Sequence, residues 1–431
     1  MNRTRFKSDD RDDPRAVAAG IITEWLAEPD HFPERSLSRV KRNRAFVTEL
    51  VYGVVRRLLT LEWIENQFMS HSPPRPVQAI LHIGVYQLIF MDDVEEYAAV
   101  HESVGLAEEG WRGLINAVLR RVQRERTFVL RRLSRAELTA RYSFPDELVR
   151  RWTRHYGETD TARLCEWHNE PPQTCVRPDP RRIDAPAFEA RCREAGIELV
   201  PHPFRARDRC FVLPRGVAVP DVPGYREGLF TIQDPSTLTA VDLLDPQPGE
   251  TVLDACAAPG GKLQVMAARM NGEGRLVAME KHADRVDRLR ENLERTRDGW
   301  VELRIADATE PPSPEEQETF DAILLDVPCT NTGVLRRRAD ARWRFSPARL
   351  KKLNRLQTAL LDAALPRLRP GGRLVYSTCS LEEEENEKLL RGWVSGHPDA
   401  HFAKARKNFP PRSHSDGSYA ALVRKIPRED S

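Results

Sequence analysis

The sequence predicts a protein of three domains: an all-α bundle, a small α+β unit and a C-terminal α/β domain. Apolar residues recur at helical spacing from Pro14 to about Arg126. The period changes after Pro171-Pro172, where short apolar segments flank one helical segment. Beyond Gln233, strand and helix patterns alternate, which is typical of a parallel sheet with helices on both faces. We place the domain boundaries at residues 1–128, 129–225 and 226–431.

Length and composition limit the class of protein. A chain of 431 residues is long enough to bury two or three separate cores. No run approaches the roughly 20 apolar residues of a membrane span, and the first ten residues lack the apolar core of a secretory signal. We therefore expect a cytoplasmic protein. We also expect a monomer and no metal site. Lysine and arginine (67) nearly balance aspartate and glutamate (65), so the net charge identifies no partner.

In the first domain, the apolar pattern predicts a series of helices. A proline-rich break at residues 73–76 separates the first helices from three more, predicted at residues 77–90, 98–109 and 114–124. Basic residues cluster at residues 35–44, 56–57 and 116–121. Two interpretations stay open for these clusters: solvated helix faces, or a phosphate-binding surface for RNA.

The second domain begins with two helix start signals. Ser134 and Glu137 form a capping box, which predicts a helix from Ser134. Asp146, which follows a proline, predicts another helix that runs through Trp152. Short strands are predicted at residues 174–176, 197–200 and 210–213, with a helix at 187–195 that ends before Gly196.

In the third domain, apolar segments predict strands at residues 252–254, 276–280, 303–307, 322–326 and 373–377. Helices are predicted between them at residues 263–269, 282–295 and 350–368. The carboxyl ends of parallel strands meet at one edge of such a sheet, where nucleotide-like ligands bind. Residues that directly follow these strands are therefore the candidates for a functional site.

The turn between the first strand and helix of this domain is rich in glycine. It reads Asp254-Ala-Cys-Ala-Ala-Pro-Gly-Gly-Lys262. A P-loop would need glycine at position 256 and serine or threonine at 263, and the G-x-G-x-x-G dinucleotide motif is also absent. The turn therefore suits a nucleoside-like cofactor without a phosphate chain, such as S-adenosylmethionine. A turn that only connects strand to helix is the alternative.

Three acidic residues lie at the ends of successive predicted strands: Glu280, Asp307 and Asp326. Glu280 stands about 20 residues beyond the glycine turn, where an acid usually binds ribose hydroxyls. Asp307 is placed to contact the adenine side of the cofactor. An acid in such a position can instead cap the next helix, but three in register favour a cofactor site.

Two of the seven cysteines follow strands of the same sheet. Cys329 ends Asp326-Val-Pro-Cys329, and Cys379 lies in Ser377-Thr-Cys-Ser380. None of the seven forms a C-x-x-C pair, and we expect reduced thiols. A thiolate that adds to C6 of cytosine makes C5 nucleophilic. An acid that hydrogen-bonds to ring N3 promotes the addition, and Asp326 is the candidate, working best if burial raises its pKa.

The segment between these cysteines is basic and carries aromatic residues. Arginines beside aromatic rings suit a surface that holds phosphates and unstacked bases. We therefore predict RNA contacts for four residues, Arg336, Arg337, Arg342 and Trp343.

Together these motifs resemble the RNA cytosine-C5 methyltransferases of the NOL/NSUN/Sun family. The resemblance rests on Asp254–Lys262, on Asp326-Val-Pro-Cys329 with Gly333, and on Tyr376-Ser-Thr-Cys-Ser380. Segments of the front bundle, residues 44–53, 84–91 and 116–121, look like a NusB-type RNA-binding domain. The resemblance implies an RRM-like second domain and a Rossmann-like catalytic domain. It also implies methylation of a 16S rRNA cytosine, at position 967 in related bacterial enzymes.

The resemblance also assigns roles. It implies that Cys379 is the nucleophile, that Cys329 helps to release the product, and that Asp326 and Lys262 complete the catalytic set. The residues alone do not rank the two cysteines. The cofactor contacts implied are Cys256, Ala257, Ala258, Pro259, Gly260, Gly261, Lys262, Glu280, Asp307 and Asp326.

Two alternatives remain open. One is the same chemistry on tRNA or on another rRNA cytosine. The other is a NusB-like RNA-binding factor with a vestigial catalytic domain, against which the intact Cys329, Cys379, Asp326 and Lys262 argue.

Overall fold

The chain folds into two compact units, and the computed structural model describes residues 13–29, 34–204, 210–311 and 319–426. The first unit comprises Met1–Glu170 and Leu335–Phe345. The second comprises Pro171–Val334 and Ser346–Ser431. A short segment of the C-terminal half of the sequence therefore belongs to the N-terminal unit. The predicted boundaries at residues 128 and 225 stay predictions.

The first unit is helical, as predicted. Its described helices are α1 (Pro14–Ala27), α2 (Glu34–Ser38), α3 (Arg44–Glu65), α4 (Arg75–Phe90), α5 (Glu96–Leu106), α6 (Glu109–Arg124), α7 (Arg126–Leu133), α8 (Leu138–Tyr142) and α9 (Asp146–Asn169). Helices α1, α3 and α4 share an apolar core that includes Trp25, Leu50 and Ile83. Helices α3 and α4 approach closely at Gly53, where a Cβ atom would lie 2.1 Å from the Tyr86 ring.

Two local predictions in this unit need correction. Ser134 does not begin a helix: it follows the end of α7, and its hydroxyl donates to the carbonyl of Arg131 at 2.9 Å. The buried side chains of Val129 and Leu133 extend the apolar pattern of α7 up to this point, which outweighs the local capping signal. The helix predicted to run through Trp152 continues to Asn169, with a kink at Gly157.

The second unit contains a small antiparallel sheet in the order β2-β3-β1-β4. Its elements are β1 (Cys175–Pro178), α10 (Ala185–Glu194), β2 (Val200–Pro201), β3 (Phe211–Val212) and β4 (Phe230–Ile232). Phe188 of α10 packs against Phe230, with ring centroids 5.3 Å apart, and both side chains are fully buried. The strand predicted at residues 197–200 shrinks to two residues, since the segment before Val200 is irregular.

The same unit contains a seven-stranded sheet in the order β10-β11-β9-β8-β5-β6-β7. Its strands are β5 (Thr251–Asp254), β6 (Arg275–Glu280), β7 (Glu302–Ile305), β8 (Phe320–Asp326), β9 (Leu368–Thr378), β10 (Ala400–Asn408) and β11 (Ser418–Lys425). Its helices are α11 (Leu238–Leu244), α12 (Gly261–Met270), α13 (Ala283–Thr296), α15 (Pro347–Arg367), α16 (Glu387–Ser395) and α17 (Pro410–Ser413). Helix α14 (Ala341–Arg344) lies in the 335–345 segment of the first unit.

Alternating side chains of the central strands enter two different cores. Val252 belongs to a cluster with residues of α11, α12 and α13, whereas Leu253 belongs to a cluster with residues of α15 and α16. Successive side chains of a strand point to opposite faces, so helices cover both faces of the sheet. The strands from β9 to β7 are parallel, as predicted.

Strands β10 and β11 were not predicted. They pair antiparallel with each other and with β9, which makes the sheet mixed. Strand β10 alternates exposed basic residues with partly buried ones and forms an edge of the sheet, so its apolar pattern is weak. Among the described helices, none is long and apolar enough to cross a membrane.

Candidate active site at the carboxyl edge of the sheet

The candidate site lies where the strand order reverses. Strand β5 pairs with β6 on one side and with β8 on the other. The strands that follow β5 in the chain therefore lie on both sides of it in the sheet. Ligands of open α/β sheets bind in the crevice at this position. Asp254 ends β5, and Asp326 ends the neighbouring strand β8. The predicted acid Asp326 therefore lies at the switch point, together with Asp254.

The two cysteines meet because of the register between β8 and β9. Asp326 lies opposite Ser377, and Cys329 and Cys379 follow these residues by three and two positions. Their Sγ atoms are 3.3 Å apart. Cys329 is 6% exposed, and Cys379 is partly exposed. The site therefore holds a pair of thiols in contact, one of them accessible.

The environment of the two thiols differs. The hydrogen bond to Cys379, together with burial, raises the pKa of Cys329 well above its ordinary value. Cys329 therefore keeps its proton at neutral pH. The loop after Cys329 lies close to the backbone after Cys379, because Gly333 N–H donates to the Cys379 carbonyl at 2.9 Å. A Cβ atom on Gly333 would lie 2.8 Å from that carbonyl oxygen, so only glycine fits there.

Lys262 and Asp326 form an ion pair beside the thiols. Lys262 Nζ lies 2.6 Å from Asp326 Oδ2, and the two side chains are 15% and 34% exposed. Burial alone would lower the pKa of Lys262, but the charge of Asp326 and its hydrogen bond outweigh burial and raise that pKa. Lys262 is therefore an ammonium ion held against the carboxylate that follows β8.

Three side chains donate hydrogen bonds to backbone carbonyls of the glycine turn. Gly260 precedes α12 with φ 104°, a left-handed conformation that favours glycine. Arg285 donates to the carbonyl of Ala258 at 2.8 Å, and Asn292 donates to that of Pro259 at 2.9 Å. Gln233 donates to that of Gly261 at 3.1 Å. Sequence reasoning missed Arg285, Asn292 and Gln233, since no local pattern marks them.

The two other acids also lie at this edge. Glu280 ends β6, is 4% exposed, and accepts from His282 N–H at 3.1 Å and from Arg285. Asp307 lies two residues beyond β7, caps the turn at Thr309 and pairs with Lys281 at 2.5 Å. Hydrogen bonds from Lys281 and Thr309 lower the pKa of Asp307 to about 2. Hydrogen bonds from other protein groups thus orient both carboxylates. This is compatible with the alternative that these acids only cap the next helix.

The donor and acceptor set at this edge fits the predicted cofactor. Asp254 is 1% exposed, and its Oδ1 has no hydrogen-bond partner within the described residues. A buried acceptor without a partner is rare and calls for a donor from a ligand. The amino group and hydroxyl groups of a nucleoside-like cofactor are such donors. By contrast, burial raises the pKa of Cys256 in the same turn, which favours the protonated thiol there.

Asp254→Asn is expected to make the stability of the protein less dependent on pH. Burial, followed by the charge of Asp326, raises the pKa of Asp254 from 3.8 to about 7. Between these values the unfolded chain is ionised while the folded protein keeps its proton, so folding stability falls as pH rises. The total loss is on the order of 4 kcal/mol and is complete above pH ~7. Urea unfolding from pH 4 to 8 should show that the stability of the variant relative to the wild type increases as the pH rises. A pH-independent difference in stability would contradict this assignment.

The residues predicted to contact RNA lie within the helical unit. Arg342 is fully buried, and its Nη1 donates to the carbonyls of Arg56 and Ser143, both at 3.0 Å. Arg336 is 6% exposed and lies over the Trp167 ring. Trp343 Nε1 donates to the carbonyl of Val55 at 2.9 Å. Burial therefore leaves Arg336 and Arg342 little surface for a phosphate. RNA contacts by Arg337 and Trp343 stay predictions.

The three basic clusters of the helical bundle also differ in how far their side chains are exposed. Arg56 is 8% exposed and Arg57 lies partly buried over the Phe90 ring, whereas Arg120 is exposed. In the first cluster the exposed residues are Arg39, Lys41, Arg42 and Arg44, and the side chain of residue 35 lies outside the described part. Only the first and third clusters therefore offer basic surface.

Comparison with known proteins gives matches to three segments of the chain. Residues 241–430 match the family model described as 16S rRNA methyltransferase RsmB/F. Residues 12–124 match the NusB family, and residues 144–219 match the ferredoxin-like domain of RsmF/B-like methyltransferases. The fold class is therefore confirmed, with the second domain ferredoxin-like.

Relatives match along nearly the whole chain. Ribosomal RNA small subunit methyltransferase B of Yersinia enterocolitica is 32% identical over 95% of this chain and 98% of its own. A probable ribosomal RNA small subunit methyltransferase B of Synechocystis is 36% identical over 83% and 82%. The crystal structure of a methyltransferase homologue from Pyrococcus horikoshii is 29% identical, covers 67% of this chain and 98% of that one, and has a TM-score of 0.59. The chain thus belongs to the RsmB/F family of 16S rRNA methyltransferases.

Proposed function

We propose that this protein uses S-adenosylmethionine to methylate carbon 5 of one cytosine in 16S rRNA, through a covalent bond between a cysteine and C6. The observation that carries the proposal is the pair of thiols 3.3 Å apart beside the Lys262–Asp326 ion pair. A nucleophile, a proton source and a second thiol are the groups that addition and elimination at cytosine require.

The chemistry follows from the polarity of cytosine. The Cys379 thiolate adds to C6, and the electron pair of the C5–C6 bond moves into the ring toward N3. The Lys262 ammonium group gives a proton to Asp326, to which it is hydrogen-bonded, and Asp326 passes a proton to N3 as the negative charge develops there. C5 then takes the methyl group. The C5 proton then passes to water, the C5–C6 double bond re-forms and Cys379 is expelled as thiolate, while N3 returns its proton through Asp326 to Lys262.

The difference between the two thiols supports the order of their roles. Cys379 is the more exposed of the two, so a flipped base reaches it first. Cys329 is buried and retains its proton at neutral pH. A protonated thiol next to the sulfur that leaves is suited to assist release of the product. We therefore assign attack to Cys379 and release to Cys329.

The cofactor is proposed to lie along the turn that joins β5 to α12. When bound, S-adenosylmethionine supplies a methyl group carried by a positively charged sulfur. Asp254 would accept a hydrogen bond from it, Glu280 would bind the ribose hydroxyls, and Asp307 would lie at the adenine end. The backbone of Cys256–Lys262 would line the remaining side. The orphaned oxygen of Asp254 is the observation that supports this placement.

The RNA substrate is proposed from the family and from the N-terminal domain. The relatives named above are small subunit rRNA methyltransferases, and we propose position 967 as the target cytosine. Another rRNA cytosine or a tRNA is the alternative. A non-catalytic RNA-binding role is disfavoured, because each group that the chemistry needs is present in contact geometry.

The test is bisulfite sequencing of rRNA and tRNA after deletion of the gene from its source organism. One 16S cytosine that resists conversion in the wild type should become convertible in the deletion strain. Expression of the gene from a plasmid should restore resistance, and the Cys379→Ala gene should not. A protected cytosine lost from tRNA instead would favour the alternative substrate, and unchanged RNA would refute the proposal.

A further inference from the structure

One side chain of the site, Asn331, contacts both cysteines. Its Oδ1 accepts a hydrogen bond from Cys379 Sγ at 3.1 Å. Its Nδ2 donates to the backbone carbonyl of Cys329 at 3.1 Å. A carbonyl only accepts, so the bond to Cys329 fixes which end of the carboxamide faces the sulfur. The oxygen of Asn331 is therefore directed at the Cys379 thiol.

The backbone at this position explains why asparagine can stand there. Asn331 has φ 62°, in the left-handed region that few residues other than glycine adopt. Asparagine is among the exceptions because its short polar side chain tolerates that region. A glycine here would keep the turn but lose the contact with Cys379. The side chain, rather than the turn, therefore supplies the contact with the sulfur.

A buried network of hydrogen bonds fixes the loop that carries Asn331. Glu385 is fully buried and accepts from Thr330 N–H at 2.9 Å and from Gln357 at 3.0 Å. Thr332 accepts from Leu381 N–H at 2.9 Å, which joins this loop to the one after Cys379. A side chain on a loop fixed at both ends can hold a reacting atom within the narrow limits that catalysis needs.

We propose that Asn331 is a positioning residue that orients the Cys379 sulfur for addition to C6 of the target base. The inference rests on the proposed function, since it gives Cys379 the role of nucleophile. Sulfur on a free χ1 rotor samples three staggered positions, and the carboxamide of Asn331 selects one of them. The adjacent Cys329 sulfur, 3.3 Å away, limits the remaining space.

The test measures the rate at which enzyme forms a covalent adduct with a 16S rRNA fragment that contains 5-fluorocytosine. With S-adenosylmethionine present, C5 takes the methyl group, and the fluorine on C5 cannot then leave as a proton does, so the adduct accumulates whichever residue assists release. Asn331→Gly is expected to lower the rate about 10-fold at saturating RNA, with RNA affinity unchanged. Asn331→Asp is expected to lower it about 100-fold, since its carboxylate loses the bond to Cys329 and places negative charge beside the sulfur.

Asn271→Gly is the matched control. Asn271 is also left-handed, with φ 53°, but it is exposed at the end of α12, so this variant should match the wild type. An Asn331→Gly rate within twofold of the wild type, or a loss of RNA affinity alone, would overturn the positioning role. Adduct formation by Cys379→Ala in the same assay would instead overturn the part of the proposed function that makes Cys379 the nucleophile. Thermal midpoints of all variants separate either outcome from misfolding.

Discussion

Cys379→Ala is expected to reduce methyl transfer by at least about 1,000-fold, because alanine cannot add to C6 and C5 stays unreactive. The same variant should form no band of protein bound to RNA on a denaturing gel. Methyl incorporation from labelled S-adenosylmethionine into 16S rRNA is the direct measurement. Binding of the RNA should persist, since the substitution removes a single sulfur from a partly exposed side chain.

Cys329→Ala is the matched counterpart. It should form the adduct but release it slowly, so protein accumulates on RNA in a complex that survives denaturation. The two thiols are in contact, 3.3 Å apart, so a general disturbance of the site would affect both variants alike. The reverse pattern, with the adduct in Cys379→Ala and none in Cys329→Ala, would exchange the roles of the two residues.

Arg342→Ala is expected to destabilise the helical unit by about 3–5 kcal/mol. The guanidinium is fully buried and donates to the carbonyls of Arg56 and Ser143 and to Oδ1 of Asn169. It also lies 3.9 Å from the centroid of the Phe144 ring. Alanine would remove this donor from three buried acceptors and leave a cavity beside them. The thermal midpoint and urea unfolding measure the loss.

Arg338→Ala is the control for this prediction, since Arg338 is exposed in the same segment. It should change stability by no more than about 0.5 kcal/mol. If Arg342→Ala kept the stability of the wild type and lowered RNA affinity, the RNA contact predicted from the sequence would be favoured over a structural role.

The comparison of these two arginines shows a limit of pattern reading. Arg336, Arg338 and Arg342 all belong to one basic run, which suggested a phosphate-binding surface. The fold buries Arg336 and Arg342 and exposes Arg338. Charge density along the chain does not tell which side chains face solvent. That depends on the packing of residues 335–345 in the helical unit, which are far in sequence from its other helices.

Short-range physics accounts for the elements that were predicted well. Strand β8 and the turn after β5 are recognisable because an apolar run is followed at once by an acid and by glycine or proline. Edge strand β10 carries basic residues and lacks such a run. The capping signal at Ser134 was local too, but the apolar face of α7 extends up to Leu133, and Ser134 ends that helix instead of beginning another. Predictions failed where tertiary contacts outweighed local preference.

By itself, the sequence predicted which residues carry the chemistry, since Asp326 and the two cysteines each lie at or just beyond the end of a strand that its apolar residues define. The tertiary structure alone decided how these groups meet. Cys329 and Cys379 are 50 residues apart in the chain, and only the pairing of β8 with β9 brings their sulfurs together. That pairing also places Asn331 against Cys379 and gives Cys329 its raised pKa. Contact, burial and hydrogen bonding depend on strand register, and register is a property of the folded sheet.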